Sequence, residues 1–334
     1  MPFVLKKALR TLSVASTLVA SALFGSPAAH AAEALKIGTV VWIGYGPFYV
    51  AEALDLYKKY GLSVKLQYFT DPGLLPAALT SHSVNGVMLT YDQVVGSVAK
   101  GLSEKVVMPI DFSAGADAIV ASGDIKSVAD FKGKKVAFNP LSPSDFLLSY
   151  ALQTNGLSDK EIHAVNMTPE GIPGAMLSGS LPVGVTYEPN VSQIVNSGKG
   201  KFHVVYSSRN APGLIADVLV FDQSFIDAHP GEVKGILQAY ADGLAYLKSH
   251  PDDANKIIAK VLGVAPAEVK AQMAGVYNIP VAEMPQSFVK GPTTRSYYTS
   301  GAVIGNLLLK KGQISTLPPT EKTIDAQFVN QIAR

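Results

Sequence analysis

The sequence contains no cysteine among its 334 residues. Disulfides, thiolate metal ligands, a cysteine nucleophile and a lipid-modified N-terminal cysteine are therefore all excluded. Charged residues are also few, at 16%, whereas 48% of the residues are hydrophobic. Such a chain can bury a sizeable core and is not disordered. Its length is sufficient for two domains of ordinary size.

Motifs that carry catalysis are absent as well. The sequence has no phosphate-binding G-x-x-x-x-G-K-[ST], no H-E-x-x-H and no G-x-S-x-G. Ser97-Val98-Ala99-Lys100 matches the S-x-x-K pair of penicillin-binding enzymes, but the companion K-T-G is missing. The six histidines are scattered and do not form the three or four converging ligands of a zinc site. We therefore expect a protein that is not an enzyme and that has no cofactor and no metal site.

Residues 1–31 have the pattern of a secretory signal peptide. An uncharged, mostly apolar stretch over residues 11–25 is followed by Ala29-His30-Ala31, which fits the small-x-small cleavage rule. A membrane anchor is the weaker alternative, because it needs about 20 apolar residues. The positive residues that precede the apolar stretch are Lys6, Lys7 and Arg10.

Cleavage after Ala31 would leave a mature chain with 28 − 3 = 25 basic and 26 acidic residues, a formal charge of −1. This balance gives no electrostatic reason for nucleic-acid binding. An exported protein without an anchor would diffuse away from a cell that has a single membrane. The sequence therefore predicts a periplasmic location in a cell with two membranes.

Strand-like and helix-like segments alternate from residue 35 onward. A strand-like segment at 35–41 precedes a predicted helix over 47–60, with Phe48, Ala51, Leu54 and Leu56 available for its buried side. A second series of alternating segments begins near residue 118. This order predicts an α/β fold with mostly parallel sheets that are flanked by helices.

Between the first predicted strand and the first predicted helix lies the stretch Trp42-Ile43-Gly44-Tyr45-Gly46-Pro47. Gly44 and Gly46 have no Cβ to crowd a ligand, and Trp42 and Tyr45 offer flat faces with polar edges. We interpret the stretch as one wall of a small-ligand site. The alternative is core packing beneath a tight turn.

Two segments resemble one another, GVMLTYD at 86–92 and VGVTYE at 183–188. Each has an apolar strand followed by Thr-Tyr-acid and a helix. Ligands of open α/β sheets bind outside the carboxyl ends of the strands. Two lobes of similar plan would then aim Tyr91 and Tyr187 into one cleft, although chance similarity of two short βα units is an alternative.

The order of KIGTVVWIGYGPFYVAEALDLYKKYGL, GVMLTYDQVVGSVAKG, DFKGKKVAFNPLSPSDFLLSYAL and TYEPNVSQIVNSGKG resembles periplasmic substrate-binding proteins of nitrate/sulfonate/taurine-type ABC importers. Binders of thiamine pyrimidine precursors belong to the same superfamily. The resemblance implies a type II-like fold with two lobes, at 35–115 plus 214–334 and at 116–213, joined by two crossovers. It also implies a monomer that delivers its ligand to a permease with a cytoplasmic ATPase.

The same resemblance implies ligand contacts after the first and third strands, at the first crossover and at a helix start in the second lobe. With the aromatic and acidic residues above, the expected ligand-binding residues are Trp42, Gly44, Tyr45, Gly46, Thr90, Tyr91, Ser113, Asp117, Ser142, Ser144, Tyr187 and Glu188. The mature chain has only three arginines, Arg209, Arg295 and Arg334, which disfavours an arginine clamp on a strong anion. A pyrimidine-synthase-type enzyme is a remote alternative, because such enzymes depend on a cysteine-rich motif.

Acidic residues fall at or near several strand ends: Asp92, Asp117, Glu188 and Asp217. Asp92 and Glu188 can act as helix caps. Asp117 has no obvious helix to cap, so we expect it to accept a hydrogen bond from an N–H group of the ligand. The expected ligand is a small nitrogen- or sulfur-containing organic solute, taurine-like in the first instance, with a thiamine pyrimidine precursor or a small amine as alternatives.

Overall fold

Two mixed β-sheets surrounded by helices form the fold, in a computed structural model that describes residues 34–333. The predicted signal peptide at 1–31 lies outside the described residues. Over residues 34–333, helices that combine the length and the apolar character needed to cross a bilayer are absent.

Eleven strands occur in the described residues. They are β1 (Leu35–Thr39), β2 (Val64–Tyr68), β3 (Gly86–Thr90), β4 (Glu104–Ser113), β5 (Asp117–Ser122), β6 (Lys135–Phe138), β7 (His163–Asn166), β8 (Val183–Tyr187), β9 (Phe202–Ser207), β10 (Ala216–Asp222) and β11 (Val276–Asn278). The first sheet has the order β11-β4-β10-β3-β1-β2, and the second has the order β7-β6-β8-β5-β9.

Each sheet contains an inserted strand that runs antiparallel to both of its neighbours. In the first sheet β10 lies between β3 and β4 and is antiparallel to both, so β1 to β4 share one direction. In the second sheet β5 lies between β8 and β9 and is antiparallel to both, so β6 to β9 share one direction. The α/β prediction is confirmed, and the predicted mostly parallel sheets are mixed sheets with inserted reversed strands.

The chain passes from one sheet to the other twice, at 114–116 and at 208–215. The two connections are bonded to each other. The Gly115 N–H donates to Ser208 Oγ (2.7 Å), and Arg209 Nε donates to the Ala114 carbonyl (2.8 Å). Gly115 has φ of 126°, a conformation that favours glycine. The lobe boundaries 35–115 plus 214–334 and 116–213 stay a prediction about which parts move as units.

Thirteen α-helices lie within residues 34–333. They are α1 (Gly46–Ala53), α2 (Leu75–Thr80), α3 (Tyr91–Ala99), α4 (Pro143–Thr154), α5 (Ile172–Leu177), α6 (Asn190–Ser197), α7 (Gln223–Ala228), α8 (Pro230–Ser249), α9 (Pro251–Leu262), α10 (Pro266–Met273), α11 (Met284–Ser287), α12 (Tyr297–Lys310) and α13 (Gln327–Ile332). Several begin with local signals that the sequence carries. Thr90 and Gln93 form a capping box at α3, and Ser142 caps α4 just before Pro143.

The predicted single helix over 47–60 is wrong. α1 ends at Ala53, and a separate 3₁₀ helix covers Leu56–Tyr60. Asp55 between them has φ of 53°, a left-handed conformation that Asp tolerates better than most residues and that ends a right-handed helix. Leu54, which was expected to be buried, is 38% exposed at this break.

The hydrophobic core is continuous between the two sheets, and a smaller cluster covers the outer face of the second sheet. The alternation along β5 separates them. Ile119 and Ala121 belong to the large cluster, whereas Ala118 and Val120 belong to the small one. This follows from the two-residue period of a strand. The large cluster therefore contains buried residues of both sheets.

Replacement of Gly243 by alanine is expected to destabilise the protein by about 1–3 kcal/mol, as overpacking does. A Cβ at this position of α8 would lie 2.2 Å from the backbone oxygen of Pro47 in α1, and a backbone atom cannot move aside cheaply. Gly231→Ala in the same helix is the matched control, because nothing lies within 4 Å of its added Cβ. Urea unfolding of the two variants checks this, and equal midpoints would contradict the close helix contact.

Candidate ligand-binding site

A small cavity lies between the two sheets, with a volume of about 20 Å³. Residues of the first sheet and its connections form most of the wall, and Asp117, Pro143 and Tyr187 contribute from the second. A cavity of this size accommodates about one water molecule. A solute of several non-hydrogen atoms therefore requires the walls to move apart. The other polar and aromatic lining residues are Trp42, Tyr45, Thr90, Gln93 and Asp217.

The reversed strands explain why acids meet aromatics here. Thr90 and Tyr187 are the last residues of β3 and β8, so they lie at carboxyl ends of parallel strands. β10 and β5 run the other way, and their first residues lie at the same edges. Asp217 pairs with Thr90, and Asp117 pairs with Tyr187. Each inserted strand therefore brings a carboxylate to the edge where α/β proteins bind ligands.

Three aromatic side chains form the walls of the cavity. The rings of Trp42 and Tyr187 meet edge to face with centroids 5.7 Å apart, which joins the two halves across the cavity. The Tyr45 hydroxyl donates to Asp217 Oδ1 at 2.5 Å. Trp42 Nε1 donates to Asp111 Oδ2 at 3.3 Å. Trp42 and Tyr45 therefore act as wall and as core at once, so the two sequence interpretations of this stretch describe the same residues.

Three buried carboxyl groups surround these aromatics: Asp111, Asp117 and Asp217. Asp111 and Asp217 are register partners on β4 and β10. Burial, together with the negative charges of Asp92 and Glu188 and against a hydrogen bond with Ser113 that lowers it, raises the pKa of Asp117 to about 7. Burial, followed by the charge of Asp117, likewise raises the pKa of Asp111 to about 8.

The pKa of Asp217 is also raised well above its ordinary range, first by burial and then by the charge of Asp111. Taken over residues 34–333, the cavity wall includes no Lys, Arg or His. Nor do His, Asp and Glu side chains of this range converge in any group of three that could hold a metal ion. The wall thus holds carboxyl groups without a cationic partner, and their raised pKa values mean that they keep their protons at higher pH than an exposed aspartate does.

Gly44 and Gly46 serve packing and do not line the cavity. A Cβ on Gly44 would lie 2.2 Å from Asp111 Oδ2 and 2.4 Å from Trp42 Nε1, so glycine is needed for that hydrogen bond to form. A Cβ on Gly46 would lie 2.7 Å from Ile258 Cδ1 of α9. We predicted that both glycines make room for a ligand. In the structure they make room for neighbouring protein atoms instead.

Tyr91 does not face the cavity, which corrects the prediction of two tyrosines in one cleft. Its hydroxyl is 2.8 Å from Thr323 Oγ1, and its ring packs against Tyr297 at 4.3 Å. The two tyrosines face different ways because they lie at different positions relative to the ends of their strands. β3 stops at Thr90 and Tyr91 opens α3, whereas β8 continues through Tyr187. A shift of one residue relative to the strand end sends the side chain to another face.

Four other predicted residues lie near the cavity without lining it. Ser113 Oγ is 2.8 Å from Ser208 Oγ, which ties the two crossovers together. Ser142 caps α4, and Ser144, whose buried hydroxyl has no hydrogen-bond partner among the described residues, lies in the first turn of that helix. Glu188 accepts hydrogen bonds from the Ser192 N–H (3.0 Å) and hydroxyl (2.8 Å). The helix-capping interpretation of Glu188 agrees with this geometry.

Gln93 and Asp111 belong to the site although the sequence reasoning did not select them. The Gln93 amide donates to the Pro72 carbonyl (2.9 Å) and to the Leu141 carbonyl (3.1 Å), which belong to different halves. Gln93 also separates the cavity from a larger outer pocket of about 460 Å³. The one signal for Asp111 is a lone acid within the apolar strand VVMPIDF.

The outer pocket lies in the groove between the halves and is closed at one side by an ion pair. Lys311, which follows α12, donates to Asp145 Oδ1 of α4 at 2.5 Å, and both side chains are largely buried. Ser142 and Gln93 also line this pocket. Gln93 lines both this pocket and the inner cavity.

Tyr91→Phe is expected to lower the free energy of unfolding by about 0.5–1.5 kcal/mol through loss of one buried hydrogen bond. Because the hydroxyl contacts Thr323 and not the cavity, ligand affinity should stay within twofold of the unaltered protein, about 0.4 kcal/mol. Tyr187→Phe is the matched control, because Tyr187 lines the cavity and loss of its hydroxyl should lower ligand affinity. A larger affinity loss for Tyr91→Phe than for Tyr187→Phe would restore the original prediction.

The fold and the cavity between two sheets define a member of the periplasmic binding protein fold class. The alkanesulfonate-binding protein SsuA from Xanthomonas axonopodis pv. citri, bound to MOPS, has the same fold. It superposes with a TM-score of 0.70 at 18% identity, covering 86% of this chain and 94% of that one.

Residues 42–254 match the NMT1/THI5-like family, and the chain belongs to that family. The taurine-binding periplasmic protein of Escherichia coli is 24% identical over 288 residues, 84% of each chain. A Haemophilus influenzae protein named for thiamine biosynthesis is 24% identical over 208 residues, which span 61% of this chain and 65% of that protein. The resemblance inferred from the sequence is confirmed.

Proposed function

We propose that the protein is the periplasmic solute-binding component of an ABC importer and that it captures a small nitrogen-bearing organic solute in the inner cavity. The observation that carries this proposal is the buried Asp117 carboxyl in an aromatic-walled cavity whose described lining has no basic residue. A buried carboxyl of this kind needs a hydrogen-bond donor or a cation as partner. A neutral ligand N–H group supplies the donor, and an ammonium group supplies both.

The contacts across the cavity favour capture by closure. Trp42 meets Tyr187, Gln93 reaches the Leu141 carbonyl, and Lys311 pairs with Asp145, so each contact joins opposite sides. We propose that the halves separate about the two crossovers, admit the solute and close over it. Hinges of this kind are formed by a few residues that absorb backbone rotation, and Gly115 and Gly213 occupy the two connections with positive φ. The closed monomer would then deliver the solute to the permease and its cytoplasmic ATPase.

The relatives support this class of ligand. Taurine, the ligand in the name of the Escherichia coli relative, carries an ammonium group that Asp117 can bind. Its sulfonate has no cationic partner among the described lining residues, so the nitrogen end is the better supported part of the ligand. A thiamine pyrimidine precursor is the alternative, because its amino-substituted ring suits the faces of Trp42 and Tyr187.

The test is a thermal-shift screen of the purified protein with taurine, alkanesulfonates, nitrate, small amines and pyrimidines. A ligand at 100 times its dissociation constant stabilises the folded state by about 2.7 kcal/mol. We expect one nitrogen-bearing member to raise the melting temperature in a saturable manner. Stabilisation by nitrate or an unsubstituted alkanesulfonate alone would contradict the proposed ligand class, and no stabilisation by any solute would contradict capture itself.

A further inference from the structure

The carboxyl groups that line the cavity come from both halves, and the described wall has no basic residue to pair with them. Asp217 belongs to the first sheet and Asp117 to the second, and both line the cavity from opposite sides. Asp111 lies directly behind, as the register partner of Asp217 and the acceptor for Trp42 Nε1. We infer that the ligand is a compact organic cation of the ammonium or guanidinium type, which bridges Asp117 and Asp217. This inference rests on the proposed function and narrows its ligand class.

The groups that face these carboxyls from the neighbouring elements are acidic or phenolic. Tyr45 donates to Asp217 from the β1–α1 connection, and Tyr187 adjoins Asp117 on β8. Asp92 on α3 and Glu188 after β8 add negative charge toward Asp117. The ion pair of Lys311 with Asp145 belongs to the outer pocket, and the described wall of the inner cavity has no basic residue. A ligand cation would complete this charge balance.

The walls suit a small cation with a delocalised or compact charge. A cation gains from the faces of Trp42 and Tyr187, and a guanidinium group can also donate two parallel hydrogen bonds to a carboxylate. The cavity volume of about 20 Å³ favours the smallest members of the class, because each further atom requires more displacement of the walls. Since the two acids belong to different halves, a bridging cation would bind the closed arrangement more tightly than an open one, which is the condition for ligand-driven closure.

Protons and the cation compete for the same carboxyls. Burial raises the pKa of Asp117 to about 7 and that of Asp217 well above its ordinary range, so each carboxyl holds a proton until the pH rises through its pKa. Affinity for a cation should therefore rise as the pH increases through 7, by up to about tenfold per pH unit for each proton displaced. A zwitterion held through its anionic end would show the opposite trend.

Isothermal titration calorimetry of the full chain tests the inference with guanidinium chloride and methylammonium chloride, each far below denaturing concentrations, and with taurine and sodium methanesulfonate. We expect one or both cations to bind more tightly than taurine, with proton release detected in buffers of different ionisation enthalpy. Comparison of the two cations shows whether the site prefers the planar, delocalised charge of guanidinium or the compact charge of methylammonium. Tighter binding of taurine or methanesulfonate, or binding of a cation that weakens as pH rises from 6 to 8, would overturn the inference and leave solute capture standing.

The variant Asp217→Asn provides a second, independent test of the cation inference. It keeps the shape and the acceptor for Tyr45, and we expect at least a tenfold loss of affinity for the cation that binds. Glu104→Gln is the matched control, because Glu104 is also buried with a pKa raised to about 8, but it lies at the opposite end of β4 and does not line the cavity. Equal affinities of the two variants would overturn the inference. If Asp217→Asn does not fold, the pH trend of the unaltered protein still decides between the outcomes.

Discussion

Asp117→Asn is expected to weaken capture of the nitrogen-bearing ligand by about 10- to 150-fold, equivalent to about 1.5–3 kcal/mol for a charged hydrogen bond. The substitution keeps the size of the side chain and removes the ionisable carboxyl of Asp117, the first residue of β5, which lines the cavity. The loss should appear mainly as faster dissociation, because truncation of a buried charged contact acts on the bound state.

Stability should not fall in parallel with binding. The folded-state pKa of Asp117 is raised to about 7, so its ionisation opposes folding, and the stability of the unaltered protein declines as pH rises from about 4 to 7. Asn at this position lacks that decline. The variant should therefore match or exceed the unaltered protein in melting temperature at pH 8. A variant that binds normally, or one that loses stability at pH 8 in proportion to binding, would contradict the assigned role.

Trp42→Ala is expected to produce the largest loss of stability, about 3–5 kcal/mol, as for other buried large-to-small substitutions. The indole is 3% exposed, contacts Tyr187 across the cavity and donates to Asp111. Its removal would leave a cavity and an acid without its donor. Ligand binding should become undetectable in the same variant, since one aromatic wall is missing.

Trp42→Phe separates these contributions. It keeps most of the apolar area and the ring contact with Tyr187, and loses only the Nε1–H donor to Asp111. We expect it to recover most of the stability lost in Trp42→Ala, as measured by circular dichroism during urea unfolding, since both variants lack the tryptophan signal. A Phe variant as unstable as the Ala variant would show that the hydrogen bond, and not packing, dominates.

Local sequence signals predicted the fold well and selected some of the residues that line the cavity. Capping residues such as Ser142 and the βα order placed most elements, because these signals lie within a few residues of each other. Trp42 and Tyr45, which line the cavity, were selected because aromatics and glycines cluster between a strand and a helix. The single helix over 47–60 was wrong because the left-handed Asp55 has no strong local signature.

The errors in the site arise from register and from contacts between distant segments. Tyr91 and Tyr187 have the same local sequence, yet the strand ends one residue earlier in one case. Asp111 acquires its role only through pairing with Asp217 on an inserted strand 106 positions further along the chain. Such a long-range register is set by the whole sheet, so a single sequence read locally does not reveal it.

The central claim is that the cavity beside Trp42 is the ligand-binding site, and the fluorescence of that residue tests it most directly. Trp42 is the only tryptophan in the chain, so its emission reports on this one position. For any solute whose binding calorimetry detects, including guanidinium, methylammonium and taurine, we predict a saturable change in emission with the same midpoint. A solute that binds by calorimetry and leaves both the intensity and the maximum of Trp42 emission unchanged would contradict the placement of the site.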